Sequence, residues 1–309
     1  MSGREDDGEA FKTRDAASYD DRGEAFDRFT ERLTRPLADR LVALAALGAG
    51  ERVLDVGTGT GVVGRTAARA VSPDGHVLGV DLSQGMLDFA AAKAAQAGIA
   101  ERFEVRRMDA ESLDLADRSF DVALSLFALL HLPDPRRALA QIHRVLRPGG
   151  RLVVGIGGGP PLASRSGVRQ ALRHVADRLR RARGTLLVAP DFLESLVERL
   201  LPGSREREES ALARHGPGRA AALAPLLRDA GFVDIRTDWL GHRVDFADSE
   251  EFWDVQRTFS SVARKRLGDA SAQSVAAIRH EFDDACAAVQ RRGGTLAYPV
   301  GACYVTARR

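Results

Sequence analysis

The sequence predicts an α/β protein, a mostly parallel sheet of seven strands with helices on both faces. Two observations carry this. Between residues 52 and 156, short apolar runs alternate about five times with stretches of helical period, and parallel strands need such crossover helices. A glycine-rich segment, Gly57-Thr-Gly59-Thr-Gly61, stands between the first run and the first helix. In parallel sheets ligands bind at this end of the strands, near the switch in strand order.

Residues 1–18 are charged and lack periodicity, which reads as a flexible N-terminus. From Tyr19 to Leu47 the apolar residues Phe26, Phe29, Leu33, Leu37, Leu41 and Leu44 recur at steps of three and four, a helical spacing interrupted near Pro36. Arg52–Val56 is a buried strand that stops at glycines, and a helix follows over residues 62–70. Ser72-Pro-Asp-Gly75 is a turn by its chemistry. His76–Val80 is the second strand, ended by Asp81. Residues 84–97 are helical and stop at Gly98. The third strand is Phe103–Arg107 and the fourth Phe120–Leu126. A helix over 136–146 ends at Pro148-Gly-Gly150, and Arg151–Ile156 is the fifth strand.

After Gly157-Gly-Gly159, which reads as a hinge, the alternation stops. Residues 160–215 form a helical insertion, with helices over 168–183 and 191–201. The pattern resumes with a helix over 219–230 and a strand over 232–246. A second helical insertion covers 248–292, with helices over 249–259 and 271–291. The last strand spans 298–307.

Composition narrows the function. With 44% hydrophobic and 28% charged residues the chain can bury an ordinary core. A net charge of +2 is nearly balanced, so no nucleic-acid partner is expected. Cys286 and Cys303 are the only cysteines and are far apart, which excludes a disulfide framework and a CxxC metal pair and fits a cytoplasmic protein. No apolar segment resembles a signal peptide or a membrane span, and no membrane partner is expected.

The chemistry concentrates in Val53-Leu-Asp55-Val-Gly57-Thr-Gly59-Thr-Gly61. Its glycines let a ligand approach the backbone, and the amides of the following helix favour an anionic group. Asp81, about twenty residues on, can accept hydrogen bonds from ribose hydroxyls. Gly59-Thr-Gly61-Val-Val-Gly64 also satisfies GxGxxG, so a dinucleotide enzyme stays open on that motif alone. Asp55 tips the balance: a carboxylate just before the glycines suits a cationic amino-acid head group and repels a pyrophosphate. Asp109-Ala110, after the third strand, offers a carboxylate for an adenine amino group.

Taken with Val80-Asp-Leu-Ser-Gln-Gly-Met86, Met108-Asp-Ala110, Ser119–Ser125 and Arg144-Val-Leu-Arg-Pro-Gly-Gly150, the segment resembles the class I S-adenosylmethionine (SAM)-dependent methyltransferases. It is most similar to the subgroup of methyltransferase type 11 and of ubiquinone, menaquinone and sterol methyltransferases. The resemblance implies a Rossmann-like domain over 19–309, its SAM-binding core at 50–157 and the two insertions forming a lid. It implies that Asp55, Gly57, Thr58 and Gly59 line the methionine end of SAM. Asp81 and Leu82 would hold the ribose, Met86 would pack near the adenine, and Asp109 and Ala110 would meet its edge. Ser125 and Phe127 would close the site near the methyl group, and Tyr19 would reach SAM from the N-terminal helix.

His131, in Leu129-Leu-His131-Leu-Pro133, is the candidate general base, since its ordinary pKa suits neutral pH; a structural hydrogen-bonding role is the alternative. His143 reads as a surface residue. His174, His215, His242 and His280 form no ligand spacing, so no metal is expected. The Arg178–Arg183 run reads as a solvated helix face. Phe252, Trp253 and Phe259 have core spacing, with an apolar pocket as the alternative. The cysteines read as buried small hydrophobes.

The expected reaction is O-methylation of a small, partly apolar metabolite, with C- or N-methylation next. The Ala- and Arg-rich composition resembles that of GC-rich bacteria, where such enzymes often tailor secondary metabolites. An RNA or protein methyltransferase, a NAD-dependent oxidoreductase and a SAM-binding protein without turnover are the rival readings. Monomer and homodimer both stay open.

Overall fold

A computed structural model of the chain describes residues 2–160, 164–201 and 219–309. Met1 and residues 161–163 and 202–218, which include His215 and parts of the first predicted insertion, lie outside the described residues. The helices are α1 (Ser2–Ala17), α2 (Gly23–Leu33), α3 (Arg35–Ala45), α4 (Val62–Ala70), α5 (Gln84–Gln96), α6 (Pro135–Val145), α7 (Arg165–Ala182), α8 (Asp191–Leu200), α9 (Arg219–Asp229), α10 (Ser249–Phe259), α11 (Ser261–Gly268) and α12 (Ala272–Arg291). The strands are β1 (Arg52–Val56), β2 (His76–Asp81), β3 (Phe103–Arg107), β4 (Phe120–Leu126), β5 (Leu146–Gly157), β6 (Leu186–Val188), β7 (Val233–Phe246) and β8 (Thr295–Arg308). They divide into two compact units: Met1–Gly159, Glu208–Leu240 and Gly301–Arg309 in one, Pro160–Arg207 and Gly241–Val300 in the other.

The first unit holds the sheet that the alternation predicts. Its order is β3-β2-β1-β4-β5-β8, and β7 also pairs with β8. Neighbours from β3 to β5 run parallel. β8 runs antiparallel to β5, with Arg151 opposite Arg308 and Gly157 opposite Ala302. The chain builds outward from β1 to β3 and then returns to the other side of β1 for β4. The ends of β1 and β4 therefore sit side by side where the strand order reverses, which is where parallel sheets open a crevice.

Burial explains the strands. Val53, Leu54 and Val56 of β1, and Val122, Ala123 and Leu124 of β4, are nearly inaccessible. One core joins Leu54, Val80, Val154 and Ile156 of the sheet to Leu139, Ile142 and Val145 of α6 and Leu223 and Leu227 of α9. Tyr304 of β8 is fully buried, and its hydroxyl donates to the Leu37 carbonyl of α3 at 2.9 Å.

Local chemistry sets the boundaries. Asp134 caps α6 by accepting from the Arg136 and Arg137 amides, with Pro135 at the first helical position. Ser83 caps α5 by accepting from the Met86 amide at 3.2 Å. The interruption at Pro36 is the junction of α2 and α3, where proline sits in the first turn of α3 and its missing N–H costs nothing.

Three differences from the sequence reading stand out. Residues 2–17, expected to be flexible, form α1, which is anchored by charge: Lys12 pairs with Glu9, Asp109 and Glu111. β5 starts at Leu146 rather than at Arg151, because Leu146 already pairs with Phe120, and the register shifts over residues 147–150, where Gly149 has φ of +77°, before Arg151 pairs with Val122. β6 and α11 were not foreseen, the first being only three residues long and the second rich in basic residues.

In the second unit β6 pairs parallel with residues 295–297 of β8. Its helices pack around Phe192, Phe252, Trp253 and Phe282, with Trp253 edge-on to Phe282 at 5.0 Å between ring centroids. Phe252 and Trp253 are therefore core residues, and Cys286 is buried with them. The buried Gln256 amide group ties two helices together, accepting from the Leu193 amide and donating to the Phe252 carbonyl.

Candidate cofactor site

The site grows from the end of β1. Asp55 is 1% exposed. Its Oδ2 accepts from the Thr58 hydroxyl at 2.6 Å, and its Oδ1 is buried without a hydrogen-bond partner. Burial pushes its carboxyl up to about 7; the Thr58 hydroxyl and the nearby Gly64 amide oppose this, and the Asp81 charge adds to it.

The loop after Asp55 is held by backbone. The Gly57 and Thr58 amides both donate to the Val80 carbonyl, at 2.8 and 3.0 Å. Gly57 and Gly59 adopt φ of +70° and +52°, a region that side chains resist. At Gly57 a Cβ would lie 2.1 Å from that of Ala128; at Gly59 it would meet nothing within 4 Å. Glycine is thus needed at 57 for packing inside the protein, while the space beside 59 is open for a ligand. Gly57→Ala is expected to lower unfolding free energy by about 3 kcal/mol, and Gly59→Ala by about 1 kcal/mol from backbone strain alone. Urea denaturation of the two variants checks this order; equal losses would mean that the Ala128 contact relaxes freely.

Asp81 ends β2 beside this loop. Its Oδ2 accepts from the Gly59 amide at 2.9 Å and its Oδ1 from the Ser83 amide at 3.1 Å. Burial raises its pKa, and the amides of Ser83, Gly59 and Leu82 and the nearby His131 offset part of the rise. Leu82 is half-buried, while Met86 lies buried in the first turn of α5.

Asp109 and Ala110 follow β3. Asp109 is already engaged on both oxygens, with Lys12 Nζ on Oδ2 and the Glu111 amide on Oδ1 at 2.8 Å. Ala110 is buried. After β4, Ser125 is fully buried and its hydroxyl donates to the Val56 carbonyl at 3.0 Å. That bond ties β4 to β1. Phe127 has φ of +66°, costly for an aromatic residue, and its amide is fixed on the Gly155 carbonyl at 2.7 Å. Such strain concentrates at functional sites, and no sequence pattern announces it.

His131 ends a 3-10 turn, Ala128–His131. Its Nδ1 lies 3.2 Å from Asp15 Oδ2, and its ring meets Tyr19 edge-on at 6.1 Å. Tyr19 also packs on Phe26. Asp20 Oδ1 accepts from the Ser83 hydroxyl at 2.6 Å and from the Gly85 amide at 3.2 Å. The N-terminal segment is therefore tied to the loops after β2, β3 and β4 through Asp20, Lys12 and Asp15. Sequence reasoning missed these three residues, since a charged, aperiodic segment carries no signal of partners so distant in the chain. His143, read as a surface residue, is half-buried with its ring edge-on to Phe232 at 5.1 Å. Among the described residues no group of His, Cys, Asp or Glu could hold a metal.

Residues 53–150 match the family described as "Methyltransferase domain". The chain carries a class I SAM-dependent methyltransferase domain. Over 138 residues it is 38% identical to the 27-O-demethylrifamycin SV methyltransferase of Amycolatopsis mediterranei, covering 44% of this chain and 48% of that protein. Over 202 residues it is 33% identical to the nocamycin O-methyltransferase of Saccharothrix syringae, covering 65% and 66% of the two. The matches thus span no more than two-thirds of these relatives. The fold is similar to that of the YcgJ protein from Bacillus subtilis, with a TM-score of 0.52 and 18% identity over 88% of this chain and 97% of that one. SAM is the cofactor of such domains. The glycine loop of this methyltransferase domain suits it: open space lies beside Gly59, and a buried carboxylate oxygen of Asp55 awaits a donor.

Proposed function

We propose that the protein transfers a methyl group from SAM to a hydroxyl of a small, partly apolar metabolite. The observation that carries the cofactor half is the unpaired Oδ1 of Asp55, buried at the mouth of an open glycine loop. A buried acceptor without a donor is costly, and the ammonium of an amino-acid group would satisfy it. In this reading Asp55, Gly57, Thr58 and Gly59 take the methionine end, Asp81 and Leu82 the ribose, and Met86, Asp109 and Ala110 the adenine. Phe127 lies toward the methyl group. Ser125 lies with it, and Tyr19, which packs on His131, reaches SAM from the N-terminal segment.

The acceptor half rests on His131 and on the relatives. Asp15, next to Nδ1, favours the tautomer with its proton there. Nε2 is then the ring nitrogen that takes a proton from an acceptor hydroxyl. SAM, when bound, supplies an already activated methyl group, so the chain has to align the nucleophile and exclude water. The two relatives are named as methyltransferases of 27-O-demethylrifamycin SV and of nocamycin, the latter an O-methyltransferase, which supports a small-molecule acceptor methylated on oxygen.

A calorimetric titration with SAM, S-adenosylhomocysteine and NAD tests the cofactor. Micromolar binding of the first two and none of NAD is expected. Binding of NAD alone, or of none, overturns the reading. Release of S-adenosylhomocysteine with a panel of apolar hydroxylated acceptors then separates an enzyme from a protein that only binds SAM.

A further inference from the structure

We infer that α7 is an amphipathic surface helix that docks the protein on an anionic lipid surface. Five large hydrophobic side chains stand out as strongly exposed among the described residues, and four belong to this helix: Val168, Leu172, Val175 and Leu179, each 54–67% exposed. Scattered exposed apolar residues are ordinary. These four follow one another at steps of four, three and four, which aligns them in one stripe.

The opposite edge of α7 faces its own unit, and it is polar. Gly167 is buried, and Gln170, Asp177 and Arg180 are half-buried. Asp177 pairs with Arg243 at 3.3 Å, and Arg180 donates to the Thr295 hydroxyl at 2.9 Å. A helix of a water-soluble unit normally does the reverse. Here the polar edge is spent on the body and the aliphatic stripe is presented outward.

Charge selects the occupant. Between Arg165 and Ala182 the helix has six arginines and one aspartate. By helical geometry Arg169 borders the stripe on one side and Arg178 on the other, Arg173 lies beyond Arg169, and all three are exposed. Arginine stems can lie along apolar surface while their guanidinium groups reach anionic headgroups. A narrow aliphatic face bordered by arginines, on a helix of low overall hydrophobicity, is the pattern of a helix lying in the membrane interface. No helix among the described residues is long and apolar enough to cross a membrane, so the contact is peripheral. A second copy would set the arginines that flank the stripe against one another, and nucleic acid would leave the aliphatic stripe without a partner. Arg178, Arg181 and Arg183 are exposed, as the solvated face predicted for Arg178–Arg183 requires; Arg178 in addition flanks the apolar stripe, and Arg181 leans toward Asp191 at 3.8 Å.

Co-sedimentation of the full chain with vesicles tests this. Binding to mixed phosphatidylcholine–phosphatidylglycerol vesicles, none to phosphatidylcholine alone, and a decline with added salt are expected. The Leu172→Ser/Leu179→Ser double variant should lower the vesicle partition coefficient by about tenfold. The Arg169→Glu/Arg173→Glu/Arg178→Glu variant should abolish binding. All these positions are exposed, and unchanged thermal melting shows that the variants fold. Absence of binding to anionic vesicles, or binding that neither variant weakens, overturns the proposal. So does a dimer in light scattering that Leu172→Ser/Leu179→Ser converts to monomer, which would assign the stripe to a second copy.

Discussion

Asp81→Ala should weaken S-adenosylhomocysteine binding by about tenfold to a hundredfold. Two losses combine. The first is the pair of hydrogen bonds that a ribose would make to the carboxylate. The second is internal: Asp81 accepts from the Gly59 and Ser83 amides, so truncation frees the glycine loop and leaves two donors without their acceptor. Asp81→Asn separates the contributions. It keeps one oxygen for the loop but removes the charge and one acceptor, and should fall between wild type and alanine. Calorimetry gives the affinities and circular dichroism shows that each variant is folded. Wild-type affinity in a folded Asp81→Ala protein would remove Asp81 from the cofactor site.

What could be read in the sequence is what local pattern encodes. The strands β1, β2 and β4 are runs of mostly buried apolar residues bounded by turn chemistry, and α10 was predicted and found over the same residues, 249–259, because its periodicity and its Asp248 cap are local. The glycine loop was legible for the same reason. What could not be read depends on distant contacts. α1 has no apolar period because charge holds it: Lys12 pairs with residues about one hundred positions away in the chain. Ser125 is a residue type at home in a ligand site, and only the fold shows its hydroxyl turned to Val56. The two stretches read as separate insertions share one unit because Phe192, Phe252 and Phe282 meet there, and no window of sequence contains all three. The outward stripe of α7 is visible as a pattern, but helical periodicity alone would assign it to a core. Its direction depends on which edge meets β6 and Arg243.

The affinity of the protein for SAM should rise with pH up to about 7 and then level off, and Asp55 should be the cause. Burial raises the Asp55 carboxyl to about 7, so in the ligand-free protein it holds its proton through the mildly acidic range. An ammonium group beside Oδ1 favours the carboxylate, which lowers the bound-state pKa. Binding must then release a proton below about pH 7 and none well above it. If the bound pKa returns to about 4, the affinity gain between pH 5 and pH 8 is up to a hundredfold, or about 2.7 kcal/mol. Stability of the ligand-free protein should run the other way. The folded-state pKa lies above the unfolded value of 3.8, so the unfolded chain gives up this proton first. This group's contribution to stability is therefore fully present below about pH 4 and is lost as pH rises to about 7. Asp55→Asn removes both slopes. It cannot ionise, so it should be at least as stable as wild type at pH 8, bind SAM more weakly there, and show a flatter affinity profile from pH 5 to 8. Asp81, whose pKa is also raised by burial, is left intact in this variant, so any residual slope measures its share. Calorimetry in buffers of different ionisation enthalpy counts the released proton directly. A profile in Asp55→Asn that matches wild type would show that the buried carboxylate does not meet the cationic end of the cofactor, and the orientation assigned to SAM along the glycine loop would have to be reversed.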